Sequence, residues 1–224
     1  LSLKRILENM ERLQKHTITE MLRNSFESYG QQLSLVFVGE KNRTYSDLSK
    51  EVAQLSRQLI EKGIRKGDKV ALLSSNMPNW GISFFAITSI GAVVVPILPD
   101  FSENEIKNII SHSEARAIFI SENLISKLGN EEIEKFELAV LVDNLENLVD
   151  RTIPLSSIDK PLEVNEDDVA SIIYTSGTTG KSKGVMLTHR NIVWDAQQCA
   201  TIQPIKQTDR FLSMLPLSHT FENT

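Results

Sequence analysis

The chain has 224 residues, a formal net charge of -5 and 41% hydrophobic residues. This length and composition predict a globular protein with a sizeable core. The acidic balance leaves no overall positive field, which disfavours nucleic acid as a partner and favours small molecules. The single cysteine, Cys199, excludes an intramolecular disulfide, fits a reducing compartment, and is expected to be buried.

Charged side chains interrupt residues 1–16 repeatedly, so no apolar core of a signal peptide is present there. We treat residues 1–16 as an N-terminal extension and expect a cytoplasmic protein. The structured part is expected to begin at Thr17, which forms a helix-capping pattern with Glu20.

Alternating apolar segments with helical and strand periodicity follow, and a second capping pattern, Ser102 with Glu105, marks one helix start. The predicted elements in chain order are a helix from Thr17 to Gly30, strands Leu33–Val38 and Arg43–Tyr45, a helix from Ser46 to Gly63, strand Val70–Ser74, helix Trp80–Ile90, strand Val93–Ile97, helix Glu103–Ser111, and strands Ala117–Ile120 and Leu138–Val142.

The stretch Trp80–Pro99 contains no charged residue and has about the length of a membrane span. Gly91 interrupts it, three consecutive valines favour a strand, and Pro96 lies near its end. A helix followed by a buried parallel strand therefore explains it better than a membrane helix.

The repeated order of strand, helix and strand predicts an α/β fold with parallel sheets flanked by helices. Residues 144–168 are polar, include Pro154 and Pro161, and lack a sustained period. They are interpreted as a connection between two lobes, without a domain of their own.

The most informative segment follows the apolar run Val169–Tyr174 and reads Thr-Ser-Gly-Thr-Thr-Gly-Lys-Ser-Lys-Gly at 175–184. Its glycines allow backbone N–H groups to approach phosphate oxygens, its hydroxyls add donors, and its lysines add positive charge. The pattern predicts a binding loop for a polyphosphate. The residues concerned are Thr175, Ser176, Gly177, Thr178, Thr179, Gly180, Lys181, Lys183 and Gly184.

Three other interpretations fit less well. The NTPase P-loop needs a glycine where Thr175 stands, and the dinucleotide motif needs a first pair of glycines that Thr175 and Gly177 do not supply. A flexible linker would not normally follow a buried strand directly and precede an amphipathic segment.

The loop resembles, at nearly every position, the Tyr-Thr-Ser-Gly-Thr-Thr-Gly-x-Pro-Lys-Gly-Val signature of the adenylate-forming superfamily. Ser182 stands where that family normally has proline, while Lys183 keeps the family's lysine position. Residues 187–191 also resemble the family's continuation into a helix. The implied fold is the first part of the large N-terminal domain of adenylate-forming enzymes.

A second segment, Leu215–Glu222, resembles the Leu-Pro-Leu-x-His-x-x-Glu block of AMP-forming long-chain fatty acyl-CoA synthetases. In relatives the matching histidine lies beside the acyl carboxylate and the adenylate, so the resemblance gives His219 a catalytic role. Without the resemblance, a histidine in this setting is more often a structural residue with satisfied hydrogen bonds. Residues 44–48, 67–71 and 76–80 extend the likeness, which covers 17–224 as part of an AMP-binding domain.

This resemblance implies that a fatty acid, with a long chain favoured, is activated by ATP to acyl-AMP and then transferred to coenzyme A. Thr175, Ser176, Gly177, Thr178, Thr179, Gly180 and Lys183 would bind ATP, and the Thr175 hydroxyl is the candidate ligand for Mg²⁺. Transfer to a carrier-protein thiol and a catalytically silent ATP-binding module stay open as alternatives. Peripheral membrane contact and a homodimer also stay open.

The family's ribose-binding, hinge and adenylation-lysine residues cannot be found in these 224 residues, nor can its C-terminal domain. We therefore expect the segment to be unable to complete either half-reaction. His16 and His112 have no partner at metal-ligand spacing and are expected to be solvated.

Overall fold

The computed structural model describes residues 13–152, 163–175, 183–202 and 205–219. The helices are α1 (Ile18–Tyr29), α2 (Tyr45–Glu61), α3 (Pro78–Ser89), α4 (Glu103–Ser113), α5 (Ile125–Leu128), α6 (Asn130–Ile133) and α7 (His189–Ile202), with a 3-10 turn at Glu122–Leu124. The strands are β1 (Leu33–Leu35), β2 (Arg43–Thr44), β3 (Lys69–Leu73), β4 (Val93–Ile97), β5 (Ala117–Ile120), β6 (Leu138–Leu141), β7 (Asn147–Asp150), β8 (Val169–Thr175) and β9 (Lys183–Thr188).

Seven of the described strands form one sheet in the order β7-β6-β5-β3-β4-β8-β9. The five inner strands are parallel, and β7 and β9 run antiparallel to their neighbours at the two edges. The short strands β1 and β2 pair separately as the predicted hairpin. The α/β fold predicted from the sequence is confirmed.

Alternate side chains of the inner strands enter two cores, one on each face of the sheet. In β3, Val70 and Leu72 join the core formed with α1, α2 and α3. Their neighbours Ala71 and Leu73 join the core formed with α4, α5 and α6. All four side chains are fully buried, which explains why the strand is apolar throughout.

Capping side chains set the helix starts. Ser102 and Glu105 make the predicted reciprocal capping box at α4. Thr44 and Asp47 make another at α2, so this helix begins one residue before the predicted Ser46. The hydroxyl of Thr17 accepts the N–H of Glu20 at the start of α1.

Sequence analysis predicted no strand in the polar stretch 144–168, yet Asn147–Asp150 form one. These residues form β7, which pairs antiparallel with β6 at the sheet edge. At this edge Asn147, Leu148 and Asp150 are exposed. The strand therefore lacks the alternation of apolar and polar residues that marks a half-buried strand in a sequence. The following described strand, β8, joins the same sheet beside β4.

The uncharged stretch Trp80–Pro99 forms most of α3 and all of β4, as predicted. In the described residues, no helix combines the length and the apolarity that crossing a membrane requires. Cys199 in α7 is exposed, so the expectation that it fills a core was wrong.

Candidate functional site

The carboxyl ends of the parallel strands meet at one edge of the sheet. Because β8 is parallel to β4, its last residue, Thr175, lies at the same edge as the residues that follow β3 and β5. In open α/β sheets, ligands bind outside this edge, where crossovers leave to opposite faces. Such a change of face occurs here, because α3 follows β3 on one face and α4 follows β4 on the other.

The predicted polyphosphate loop joins two neighbouring strands of this sheet. Thr175 and Lys183 are register partners across the antiparallel pair β8 and β9, and both are exposed. Their side chains are thus available beside each other at the carboxyl edge. Residues 176–182 connect them. Of the predicted ligands, Ser176, Gly177, Thr178, Thr179 and Gly180 lie outside the described residues.

Gly184, the last glycine of the loop motif, lies opposite Tyr174 in the hairpin. A Cβ atom at this position would come within 2.9 Å of Ile172 Cγ2 and 3.2 Å of Tyr174 Cζ. The φ angle of Gly184 is not positive, so its backbone conformation does not itself require glycine. Close packing across the hairpin is therefore a sufficient reason for glycine here, besides the approach to a ligand expected from the sequence.

Tyr174 anchors the base of the hairpin. Its ring is 5% exposed, and its hydroxyl lies 2.7 Å from Nδ1 of His112 in α4. The two rings meet edge to face at 5.7 Å. Burial raises the pKa of the Tyr174 hydroxyl, so it stays protonated at neutral pH. His112 is exposed as expected, but it has this specific partner, which the sequence did not indicate.

His219 is the last residue of a β-turn near the carboxyl edge of the sheet. The backbone N–H of His219 donates to the carbonyl of Pro216 at 2.8 Å, closing the turn Pro216–His219. Leu217 packs against the larger core, and Ser218 is only 3% exposed. The turn is therefore anchored to the fold, and His219 is held at its end.

Asn76 connects this turn to the sheet edge, because its carboxamide binds the backbone of Leu215 and Leu217. It follows β3, and only β4 lies between β3 and β8. At the usual strand spacing, the ends of β3 and β8 are about 10 Å apart. The structure thus brings the His219 segment and the Thr175–Lys183 hairpin to one edge of the sheet. Sequence analysis gave Asn76 no role, although its position directly after a buried strand was a signal for the edge.

The run Thr188–Asn191 after the loop serves to start helix α7. The Thr188 hydroxyl accepts the Asn191 N–H at 3.2 Å, and the Asn191 side chain accepts the Thr188 N–H at 3.0 Å. This reciprocal cap is visible in the sequence as two capping residues three positions apart.

His189 lies inside that run and is fully buried. Its Nδ1 accepts the backbone N–H of Ile18 at 3.3 Å, which joins α7 to the start of α1. Nε2 has no hydrogen-bond partner among the described residues. Burial lowers the pKa of His189 to about 4, so the side chain is neutral at physiological pH. Its role is structural.

No group of three or more His, Cys, Asp or Glu side chains that could hold a metal ion is found within residues 13–152, 163–175, 183–202 and 205–219. The Thr175 hydroxyl alone does not make a metal site.

A family model described as AMP-binding enzyme matches residues 22–224. Among curated relatives, acyl-CoA ligase sidI of Aspergillus fumigatus is 28% identical over 92% of this chain and 39% of its own length. A chloroplastic long-chain-fatty-acid acyl-carrier-protein ligase of Arabidopsis thaliana, AEE15, is 30% identical over 92% of this chain and 32% of its own. The chain thus spans well under half the length of these relatives.

Among solved structures, O-succinylbenzoate coenzyme A synthetase (MenE) of Bacillus subtilis in complex with AMP matches with a TM-score of 0.75. It is 25% identical, over 90% of this chain and 50% of that chain. The N-terminal subdomain of Klebsiella oxytoca NpsA matches with a TM-score of 0.63 at 25% identity, over 79% of this chain and 43% of that one. The fold is that of the N-terminal domain of adenylate-forming enzymes.

Proposed function

Because the chain belongs to the AMP-binding enzyme family, we propose that the full-length protein activates a carboxylic acid with ATP and transfers it to coenzyme A. In the first step, a carboxylate oxygen of the acid attacks the α-phosphorus of ATP. The bond to the β-phosphate oxygen breaks, and acyl-AMP and pyrophosphate form. In the second step, the thiolate of coenzyme A attacks the acyl carbonyl carbon, and AMP leaves.

The observation that best supports the first step is the hairpin register. Thr175 and Lys183 are partners at the carboxyl edge, and both side chains are exposed. Residues Thr175 to Thr179 would hold the β- and γ-phosphates. Lys183 would offset the negative charge that develops on the departing pyrophosphate, which is electrostatic stabilisation of the transition state.

His219 would contact the acyl carboxylate and the adenylate, by its likeness to the histidine of the Leu-Pro-Leu-x-His block. Its support is its place at the end of an anchored turn at the same sheet edge. Holding the carboxylate near the α-phosphorus lowers the entropic cost of bringing the two reactants together. Magnesium would enter with ATP, with the Thr175 hydroxyl as the one protein ligand that we propose.

For the acid, we propose a long aliphatic chain, on the likeness of Leu215–Glu222 to the long-chain branch. Long-chain-fatty-acid CoA ligase FadD15 of Mycobacterium tuberculosis, 28% identical over 79% of this chain, agrees with this choice. Another relative, a crotonobetaine/carnitine CoA ligase of Proteus mirabilis, has a different acid in its name at 26% identity.

The acceptor has a second candidate, the thiol of a carrier protein. The observation that favours it is the match to AEE15, named as an acyl-carrier-protein ligase. Offering coenzyme A and a holo carrier protein separately to the full-length enzyme distinguishes them, because only the true acceptor releases AMP from the acyl-adenylate.

The decisive experiment measures exchange of pyrophosphate into ATP by the full-length protein, with and without a fatty acid. We expect acid-dependent exchange, which a catalytically silent ATP-binding module would not give. In a chain-length series, a long fatty acid should be activated faster than acetate. Faster activation of acetate would reject the long-chain assignment.

Two substitutions test the loop assignment. Gly177→Val places a side chain where backbone would approach phosphate and should strongly weaken ATP use. Lys183→Ala removes a charge-assisted contact worth about 1.5–3 kcal/mol, so adenylation should fall about ten- to hundredfold. Lys181→Ala is the matched control. Damage from the Lys181 change with a silent Lys183 change would show that the motif is aligned wrongly.

A further inference from the structure

The Asn76 side chain spans the gap between the sheet and the segment that carries His219. It follows β3 at the carboxyl edge and contacts residues that lie about 140 positions later in the chain. Its Nδ2 donates to the carbonyl oxygen of Leu215 at 2.6 Å and to Ser213 Oγ at 3.1 Å. Its Oδ1 accepts the backbone N–H of Leu217 at 2.8 Å.

The carboxamide matches the backbone on either side of Pro216. The Leu215 carbonyl and the Leu217 N–H both face the Asn76 side chain, because each forms a hydrogen bond with it. An asparagine presents one donor and one acceptor side by side and can bind both. Pro216 lies between them and has no backbone N–H, so no donor of Pro216 is left unpaired.

Burial differs between the downstream and the upstream side of this segment. Leu217 and Ser218 are packed into the fold, whereas Phe211, Leu212 and Met214 are 79%, 82% and 78% exposed. The upstream residues are therefore not fixed by burial. Asn76 binds the backbone where the exposed and the packed parts meet, at Leu215 and Leu217, and Leu217 lies two residues before His219.

We infer that Asn76 is a positioning residue for the reaction, acting through His219. This inference rests on the proposed function, in which His219 contacts the acyl carboxylate. Asn76 fixes the backbone of Leu215 and Leu217, and the turn Pro216–His219 carries that constraint onward to the backbone of His219. Without the carboxamide, the turn keeps its own hydrogen bond but loses its register on β3.

Asn79 offers a matched control. It lies three residues later, and its carboxamide also donates to backbone carbonyls, at 2.7 Å to Val142 and 3.1 Å to Asp143. Those carbonyls follow β6, on the far side of β5 from the candidate site. Asn79→Ala therefore also removes a carboxamide that binds backbone carbonyls, but it does so away from the candidate site.

The experiment is a double-substitution cycle in the full-length enzyme, measured by acid-dependent pyrophosphate exchange. Asn76→Ala should lower kcat about ten- to a hundredfold, the cost of a small misplacement of a reacting group. It should also raise KM for the acid, while KM for ATP changes less than twofold. A mere loss of folded enzyme would leave both KM values unchanged. Asn79→Ala should change these parameters less than threefold.

Because Asn76 acts through His219, adding Asn76→Ala to His219→Ala should lower activity no further. Hydrogen exchange should give a second readout, since the Leu217 amide is expected to exchange faster in Asn76→Ala and not in Asn79→Ala. A damaging His219→Ala with a silent Asn76→Ala would overturn the inference and leave the proposed function standing. Fully additive losses would overturn it in the same way. A silent His219→Ala would remove the proposed role of His219 and the inference with it.

Discussion

Strands β5 and β9 belong to one sheet, yet their environments differ. All four side chains of β5 are fully buried, whereas Val185 and Met186 in β9 are 48% and 67% exposed. β5 has a strand on each side and a core on each face, while β9 is an edge strand with one neighbour among the described strands. The buried inner strands, such as β5, therefore hold the fold together. The edge strand β9 carries one end of the loop that the proposed chemistry needs.

The largest effect expected from this difference is on stability. Phe119→Ala in β5 empties a fully buried site and should lower the free energy of unfolding by about 3–5 kcal/mol. Met186→Ala in β9 should change it by less than about 0.5 kcal/mol, as surface substitutions usually do. Chemical unfolding of the full-length protein, followed by tryptophan fluorescence, measures both. Equal losses would mean that β9 is covered in the full-length protein.

Acid should weaken the contact between α7, the helix that follows β9, and the start of α1, because His189 joins them. Its pKa is about 4 in the folded protein and about 6.5 in an unfolded chain, because burial disfavours the charged ring. Both states are neutral above pH 6.5, so no stability is lost there. Between pH 6.5 and 4 the unfolded chain binds the proton first, and up to about 3 kcal/mol should be lost.

His189→Asn is the control for this prediction, because its amide oxygen can accept the Ile18 N–H near the position of Nδ1 and does not titrate. The variant should lose less stability than the parent between pH 6.5 and 4. Identical pH dependence in the two proteins would show that carboxylates alone, such as Asp168, cause the acid sensitivity.

The centre was also the part that sequence analysis predicted best. Strand β5 was predicted with its observed bounds, because burial on both faces leaves a continuous apolar run. Strand β7 was missed, since an edge strand with exposed side chains needs no such run. The loop motif indicated a phosphate-binding segment after a buried strand, but the returning strand β9 was not predicted. The contacts of Asn76 and His112 could not be found, because each joins residues more than 60 positions apart.

The hairpin can be tested without touching the loop. Gly184→Ala brings a Cβ within 2.9 Å of the Ile172 side chain and 3.2 Å of the Tyr174 ring, so these side chains or the strands that carry them must shift. Such overpacking typically costs about 1–3 kcal/mol, and we expect reduced adenylation as well. Gly81→Ala in α3 meets nothing within 4 Å and should be neutral or stabilising by about 0.5–1 kcal/mol. A neutral Gly184→Ala in unfolding and exchange assays would argue against packing as the reason for this glycine.

The smallest predicted effect concerns the anchor of the hairpin on α4. Tyr174→Phe removes only the hydroxyl that lies 2.7 Å from His112 Nδ1 and keeps the ring beside Gly184. The loss should be about 0.5–1.5 kcal/mol, the usual net value of one hydrogen bond. Because His112 lies on the surface, water can replace part of this bond, which favours the lower end of the range. His112→Ala completes a double-substitution cycle measured by chemical unfolding, and its coupling with Tyr174→Phe should account for most of that loss. Strictly additive losses would mean that the hydroxyl and the imidazole contribute independently, and that β8 is held against α4 by ring packing alone.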